Sequence, residues 1–243
     1  MNTAKDHYER QLAAIYSWMS GGSEAVIERN RALFRQLEIE NLPRGSAVDL
    51  GAGSGFQSVP LAELGFSVVA LDFNPQLLAE LRQRVRGLPI RTVHDDLLNF
   101  EKHIDEPAQL VVCMGDTLTH LESFDAVQSL LSCVGRALAE GGMLVLTFRD
   151  YVSVEPHGSG RFIPVRSDES KILTCFLEYH EEVVEVYDLL YRKEEGKWVL
   201  HVSSYPKLRL DKDWVGRRLI ETGLRVISNE VAQGMAIIVA IKD

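Results

Sequence analysis

Short apolar runs alternate with amphipathic stretches between residues 47 and 148. The runs at 47–50, 67–71, 90–93, 109–113 and 142–148 read as strands of a sheet covered on both faces. The stretches at 55–64, 75–86 and 123–139 carry apolar residues at helical spacing. Alternating strands and helices point to a doubly wound, mostly parallel α/β sheet. Asn74-Pro75 is a cap followed by a proline in the first turn, where no N–H is needed. Gly141-Gly142 separates the long helix from the next strand. Ahead of this array, 4–17 and 23–38 read as two helices around Ser20-Gly21-Gly22-Ser23.

The pattern changes after residue 150. Residues 151–170 are irregular and carry Gly, Pro and Ser. Residues 171–207 read as long strands, with a hairpin turn at Glu194-Glu195-Gly196-Lys197. Asp211 or Asp213 caps a helix that runs to Thr222 and stops at Gly223, and strands 224–231 and 235–241 close the chain. This gives an N-terminal helical lid over 1–40, a core of 41–150 plus 208–243, and an antiparallel β insertion over 151–207.

Composition narrows the function. The chain has 243 residues, 46% of them hydrophobic, and a net charge of -9. An acidic chain without a basic stripe argues against nucleic acid as partner. Arg82, Arg84 and Arg86 read as one solvated helix face. Cys113, Cys133 and Cys175 lie far apart, which suits reduced thiols in a cytoplasmic protein. The N-terminus lacks the apolar run of a signal peptide, and no apolar run reaches the ~18 residues of a membrane span. No residue spacing suggests a metal site.

Candidate chemistry begins at Val48-Asp49-Leu50-Gly51-Ala52-Gly53-Ser54-Gly55-Phe56 and continues at Val68-Val69-Ala70-Leu71-Asp72. Strand, glycine-rich turn and helix are expected to present backbone N–H groups to a ligand, and glycine permits its close approach. An acid at the end of the second strand can accept hydrogen bonds from a ribose diol. A dinucleotide loop wants Gly-x-Gly-x-x-Gly, but here the third glycine comes one position early and Phe56 takes its place. No phosphate-binding lysine follows, which removes the nucleotide triphosphatases.

These residues resemble the first motif of the class I S-adenosylmethionine-dependent methyltransferases. The resemblance implies a seven-stranded Rossmann-like sheet whose last strand is antiparallel. It implies S-adenosylmethionine as cofactor, with Asp49, Gly51, Ala52, Gly53 and Gly55 in the loop, Asp72 on the ribose and Phe73 beside the adenine. Val93-His94-Asp95-Asp96-Leu97 is similar to the third motif, with Asp96 and Leu97 on the adenine edge. Cys113-Met114-Gly115-Asp116-Thr117-Leu118-Thr119-His120-Leu121 is similar to the corresponding stretch of the glycine N-methyltransferase group. That likeness gives Met114 and Gly115 to the cofactor, a cofactor-carboxylate or water contact to His120, and Asp116 and Thr117 to the acceptor. Since a protonated amine cannot attack, the site must select the neutral form or take its proton, for which Asp116 and His120 are the candidates. The group has an amide where Asp116 stands, so glycine itself as acceptor is in doubt. Thr147-Phe148-Arg149-Asp150-Tyr151 is a second match, with Arg149 as a carboxylate clamp and Tyr151 beside it. Tyr16 and Trp18 suit a lid whose aromatic faces attract a sulfonium.

Plainer readings stand beside these. His120 or Asp116 can cap a turn, Arg149 can pair with Asp150 or Glu140, and Tyr16 and Trp18 can simply pack on the core. The expected activity is methylation of a small molecule, at the nitrogen of an amine or amino acid. The alternatives are O-methylation of a hydroxylated or carboxylate metabolite, a non-catalytic cofactor-binding subunit and, more distantly, a nicotinamide oxidoreductase. The insertion is expected to cover the acceptor site or to form a homodimer interface.

Overall fold

A computed structural model of the protein describes residues 4–85 and 87–243. Seven strands form one sheet: β1 (Ser46–Leu50), β2 (Ser67–Asp72), β3 (Ile90–His94), β4 (Ala108–Cys113), β5 (Leu138–Arg149), and, after four strands of a second sheet, β10 (Leu224–Ala232) and β11 (Met235–Lys242). Their order is β10-β11-β5-β4-β1-β2-β3. β1 pairs in parallel with β2 and β4, whereas β11 runs antiparallel to both β5 and β10. The expected doubly wound sheet with an antiparallel last strand is therefore present.

Each face of this sheet has its own core. On one side Phe34, Phe56, Leu61, Leu78 and Leu81 pack from the helices Ser23–Gln36, Ser58–Glu63 and Pro75–Arg84 and from the glycine loop. On the other, Val127, Leu131, Val134, Val215 and Leu219 pack from Phe124–Ala137 and Lys212–Glu221. Strand centres buried from both sides explain the continuous apolar runs in the sequence.

The cap assignments hold. Asn74 Oδ1 accepts the N–H groups of Gln76 and Leu77 at 3.0 and 3.1 Å, and Asp211 accepts that of Trp214 at 2.6 Å. Three boundaries differ. The first core helix begins at Ser58 instead of 55, because Gly55 sits at φ 86°, outside any right-handed helix. The long helix stops at Ala137, and Leu138 at once turns extended to start β5, four residues earlier than the glycine pair suggested. The helix from Pro75 ends at Arg84, and the expected end at Arg86 lies outside the described residues, as do residues 1–3 of the lid.

A second sheet holds β6 (Phe162–Ser167), β7 (Lys171–Tyr179), β8 (Val183–Glu194) and β9 (Lys197–Leu208) in that order, all antiparallel. β6 lies in the stretch read as irregular; Pro164 and the register shift beside it hide the strand pattern. Glu195 and Gly196 take positive φ of 48° and 81°, which makes the β8–β9 connection the tight two-residue hairpin. The inner face of this sheet packs Leu173 and Leu190 on Leu12 and Ile15 of a helical segment, residues 4–19. The outer face carries the cross-strand row Ile172, Tyr191, Leu200, flanked by Phe162, Trp198 and Val202, all 38–55% exposed.

Gly55 offers a direct test of the loop. A Cβ there would lie 2.2 Å from Leu81 Cδ1, on a backbone that disfavours any side chain. Gly55→Ala is expected to lower stability by about 1–3 kcal/mol in a urea melt. An unchanged midpoint would mean that the loop relaxes freely.

Candidate active site

The strand order reverses at β1, so the chain leaves β1 and β4 in opposite directions and opens a crevice beyond their C-terminal ends. There Gly51, Gly53, Leu71, Asp72, Phe73, Asp96, Leu97, Thr117 and His120 line a cavity of about 810 Å³. Tyr8 and Tyr16 from the N-terminal segment and Val183, Pro206 and Leu208 from the insertion complete the wall.

The loop works by shape. The N–H groups of Gly51 and Ala52 both donate to Leu71 O, at 2.9 and 3.0 Å, and that of Gly55 donates to Ala52 O at 2.8 Å. The N–H of Gly53 donates to Asp72 Oδ2 at 2.8 Å. The expected cradle of free N–H groups is therefore absent at these four residues, and the following helix starts three residues further on. What glycine supplies is room. A Cβ on Gly51 would stand 2.3 Å from the Thr117 methyl.

Asp72 is 6% exposed. Its oxygens accept the N–H groups of Gly53 and Asn74 at 2.8 and 2.7 Å. Burial nevertheless raises its pKa. A carboxylate has about four lone-pair sites, so two remain for hydroxyl donors from the cavity. These features fit the ribose of S-adenosylmethionine. Asp96 and Leu97 line the same cavity, with Asp96 Oδ1 also accepting the N–H of Leu98 at 2.8 Å. The rings of Tyr8, Tyr16, Phe73 and His120 give the cavity aromatic faces. Tyr8 meets Phe73 and His120 edge-on at 5.7 and 5.6 Å, and Tyr16 stacks on Phe56 at 5.5 Å.

Beside this cavity lies an ion pair between buried Lys207 and half-buried Asp116. Asp116 Oδ2 takes the Lys207 ammonium. Asp116 Oδ1 accepts the Arg149 N–H at 2.9 Å and the Thr119 hydroxyl at 3.1 Å. Burial works to raise the Asp116 pKa, but Lys207, His120 and the Arg149 N–H hold it down to about 2. Lys207 is pushed the other way, because Asp116 and the phenols of Tyr151 and Tyr205 outweigh its burial. His120 is a different case. Burial first, then Lys207, lowers its pKa to about 3, so its imidazole is neutral at pH 7. Its Nδ1 is buried without a hydrogen-bond partner.

The remaining expected residues divide. Asp49 lies under the loop, 1% exposed, receiving the Ser58 hydroxyl at 2.5 Å, with burial raising its pKa to about 7. Ala52 and Gly55 form the loop's buried side, and Met114 packs in the core while its carbonyl accepts the Thr117 hydroxyl at 3.1 Å. The Gly115 N–H donates to Thr147 Oγ1 at 2.8 Å. Trp18 is not at the cavity. Its indole donates to Asp168 at 2.5 Å, with Lys171 over its ring at 5.2 Å. Arg149 has an exposed side chain, and only its backbone reaches Asp116. Tyr151 packs against Leu177 and Val184, its hydroxyl 3.5 Å from Asp116. Lys207 and Tyr8 were missed. Neither belongs to a motif, and Lys207 reads as one more charge near a strand end.

Residues 47–142 match a family described as a methyltransferase domain. The chain is 28% identical over 186 residues to the glycine/sarcosine N-methyltransferase of Aphanothece halophytica, covering 74% of this chain and 66% of that protein. It is 34% identical over 113 residues to the glycine/sarcosine N-methyltransferase of Halorhodospira halochloris, covering 46% and 42%. The chain therefore spans about two thirds of the length of the first relative and under half of the second. Among solved structures, DesVI of Streptomyces venezuelae superimposes with a TM-score of 0.78 at 15% identity, covering 95% of this chain and 98% of that one. At that identity the likeness is one of fold.

Removing one member of this ion pair leaves the other charged and uncompensated. Lys207→Met is expected to cost about 3 kcal/mol in chemical denaturation. Adding Asp116→Asn, which keeps an acceptor for the Arg149 N–H, is expected to recover most of that loss. Equal losses in the single and double variants would show that the pair is not the cause.

Proposed function

We propose that this chain, whose core is a class I S-adenosylmethionine-dependent methyltransferase domain, methylates a nitrogen of a small amine or amino acid. The observation that carries this reading is a cavity with a buried diol-accepting carboxylate, Asp72, on one wall and a neutral imidazole, His120, on another. The names of the two glycine/sarcosine N-methyltransferases support nitrogen as the atom methylated.

When bound, S-adenosylmethionine supplies a methyl carbon activated by its sulfonium. Asp72 would hold the ribose, Phe73, Asp96 and Leu97 the adenine, while the absent side chain of Gly51 makes room for Thr117 and that of Gly53 leaves the backbone open to the ligand. Tyr8 and Tyr16 present aromatic faces that favour a cation in a dry site. Methyl transfer also needs a neutral amine. The sulfonium disfavours an ammonium in the same space. His120, held near a pKa of about 3, is a poor proton store but a good hydrogen-bond acceptor. Its role is to take an N–H of the neutral amine and aim the nitrogen lone pair. Asp116, committed to Lys207, is not the base.

The deciding experiment uses purified protein, methyl-labelled S-adenosylmethionine and a small-molecule cell extract, with mass spectrometry of the products. A labelled amine or amino acid is the expected product. A labelled hydroxyl or carboxylate would move the reading to O-methylation, label on macromolecules would overturn the small-molecule acceptor, and binding without label would leave a binding subunit. Asp72→Asn is expected to weaken S-adenosylhomocysteine binding about tenfold or more, the worth of hydrogen bonds to a charged acceptor.

The outer face of the insertion supports a homodimer. Its exposed apolar residues form a contiguous cross-strand row, the kind of patch that marks an interaction site. A flat sheet face of this kind meets a second copy of itself about a two-fold axis. Wild-type protein is expected to sediment as a dimer and Leu200→Glu as a monomer. Wild-type monomer at micromolar concentration would end this reading.

A further inference from the structure

We infer that Asp188 and His7 are positioning residues. They dock the N-terminal segment on the insertion and thereby set the places of Tyr8, Tyr205 and His120. This rests on the proposed methyl-transfer reading of the cavity.

Asp188 stands in the middle of β8 on the inner face of the second sheet, 1% exposed. Its β8 neighbours on that face are Val184, Val186 and Leu190, all buried. An apolar residue would pack there at no electrostatic cost, whereas a buried carboxylate is costly unless it is met. It is met from outside the sheet: Asp188 Oδ2 lies 2.9 Å from Nε2 of His7, whose side chain is fully buried. The Cys175 thiol donates to Oδ1 at 3.0 Å, but burial and Asp188 itself push that thiol's pKa up, so it stays neutral and a weak donor. His7 is therefore the main partner.

From His7 the contacts lead to the cavity. The His7 ring stacks on Tyr205 at 4.1 Å and 23°. Tyr205 stacks on His120 at 5.5 Å and 23°. Tyr8, the next residue after His7, meets His120 and Phe73 edge-on. Further along, the segment has anchors of its own: Leu12 and Ile15 against Leu173 and Leu190, Tyr16 on Phe56, and Trp18 on Asp168. Loss of the His7–Asp188 contact would release the first turns, with Tyr8, and leave the rest attached. The cofactor wall of Gly51, Gly53, Asp72 and Asp96 belongs to the core and does not depend on it. The effect must then fall on the acceptor and on the sulfonium that Tyr8 faces, and S-adenosylhomocysteine, which carries no sulfonium, is expected to feel little of it.

The test compares Asp188→Leu, which removes the acceptor, with Asp188→Asn, which keeps an oxygen for His7. Asp188→Leu is expected to lower kcat on the order of ten- to a hundredfold and to raise the acceptor KM, as a misplaced catalytic group does. Affinity for S-adenosylhomocysteine should stay within about twofold, a minor fraction of a tenfold step. Asp188→Asn is expected to restore most of the turnover. Wild-type kcat and KM in Asp188→Leu, or a loss that falls on S-adenosylhomocysteine affinity, would overturn the inference. If Asp188→Leu does not fold, His7→Leu, outside the sheet, reads the same quantities. Absence of any methyl transfer by the unaltered protein would sink the functional reading alone. Amide exchange over residues 8–12 then decides the docking. It should accelerate about tenfold in Asp188→Leu and recover in Asp188→Asn, and unchanged exchange would refute it.

Discussion

Everything at the site depends on the reversal of strand order at β1. Because β2 lies to one side and β4 to the other, the loops after these two strands diverge. Asp72 ends β2 and Thr117 follows β4, and the glycine loop after β1 lies between them. Strand pairing fixes the three chain ends to one another. β1 and β2 pair from Ser46–Ser67 to Leu50–Leu71, and this register brings the Gly51, Ala52 and Gly53 N–H groups onto Leu71 and Asp72. The loop is thus tied to the acid by the sheet itself. A ligand meets a shape already set and need not organise it.

The charges around the cavity follow one rule: each carboxylate is met by a different set of partners, and the partners decide what it can do. Asp72 has backbone N–H groups only and keeps lone pairs for a ligand. Asp116 has a lysine, which holds its carboxyl in the charged form. Asp188 has a histidine from another segment and serves as an anchor. Asp49 has only Ser58, through its hydroxyl and its N–H, and burial raises its pKa to about 7. Neutral His120 follows from the same arrangement, since the charge of Lys207 and burial act on it in the same direction.

The core was legible in the sequence because its signals are local. The apolar runs, the Asn74-Pro75 cap, the glycine triplet and Asp72 each fall within a few residues of what they specify, and their order carries the topology. The acceptor side was not legible, because its contacts cross the chain. Asp116 and Lys207 are 91 positions apart, and His7 and Asp188 are 181 apart. No periodicity links such residues. Arg149 shows the opposite hazard. Its place at the end of β5 suits a clamp, yet strand alternation turns its side chain outward while its N–H reaches Asp116. Trp18 lies two residues beyond Tyr16, and that step carries it from the cavity to Asp168.

The N-terminal segment explains why polar anchors are used at all. Residues 4–19 pass through an α turn, a π turn, a 3-10 turn and a last α turn. Such short, irregular turns have little helical stability of their own and take their conformation from what they pack on. Apolar packing alone, as by Leu12 and Ile15, tolerates sliding, because it is non-directional. A buried imidazole on a buried carboxylate does not, since any shift leaves both unpaired. One such contact fixes both register and rotation of the segment. That fixing matters most at its first turns, where Tyr8 must meet two other rings at defined angles across the cavity.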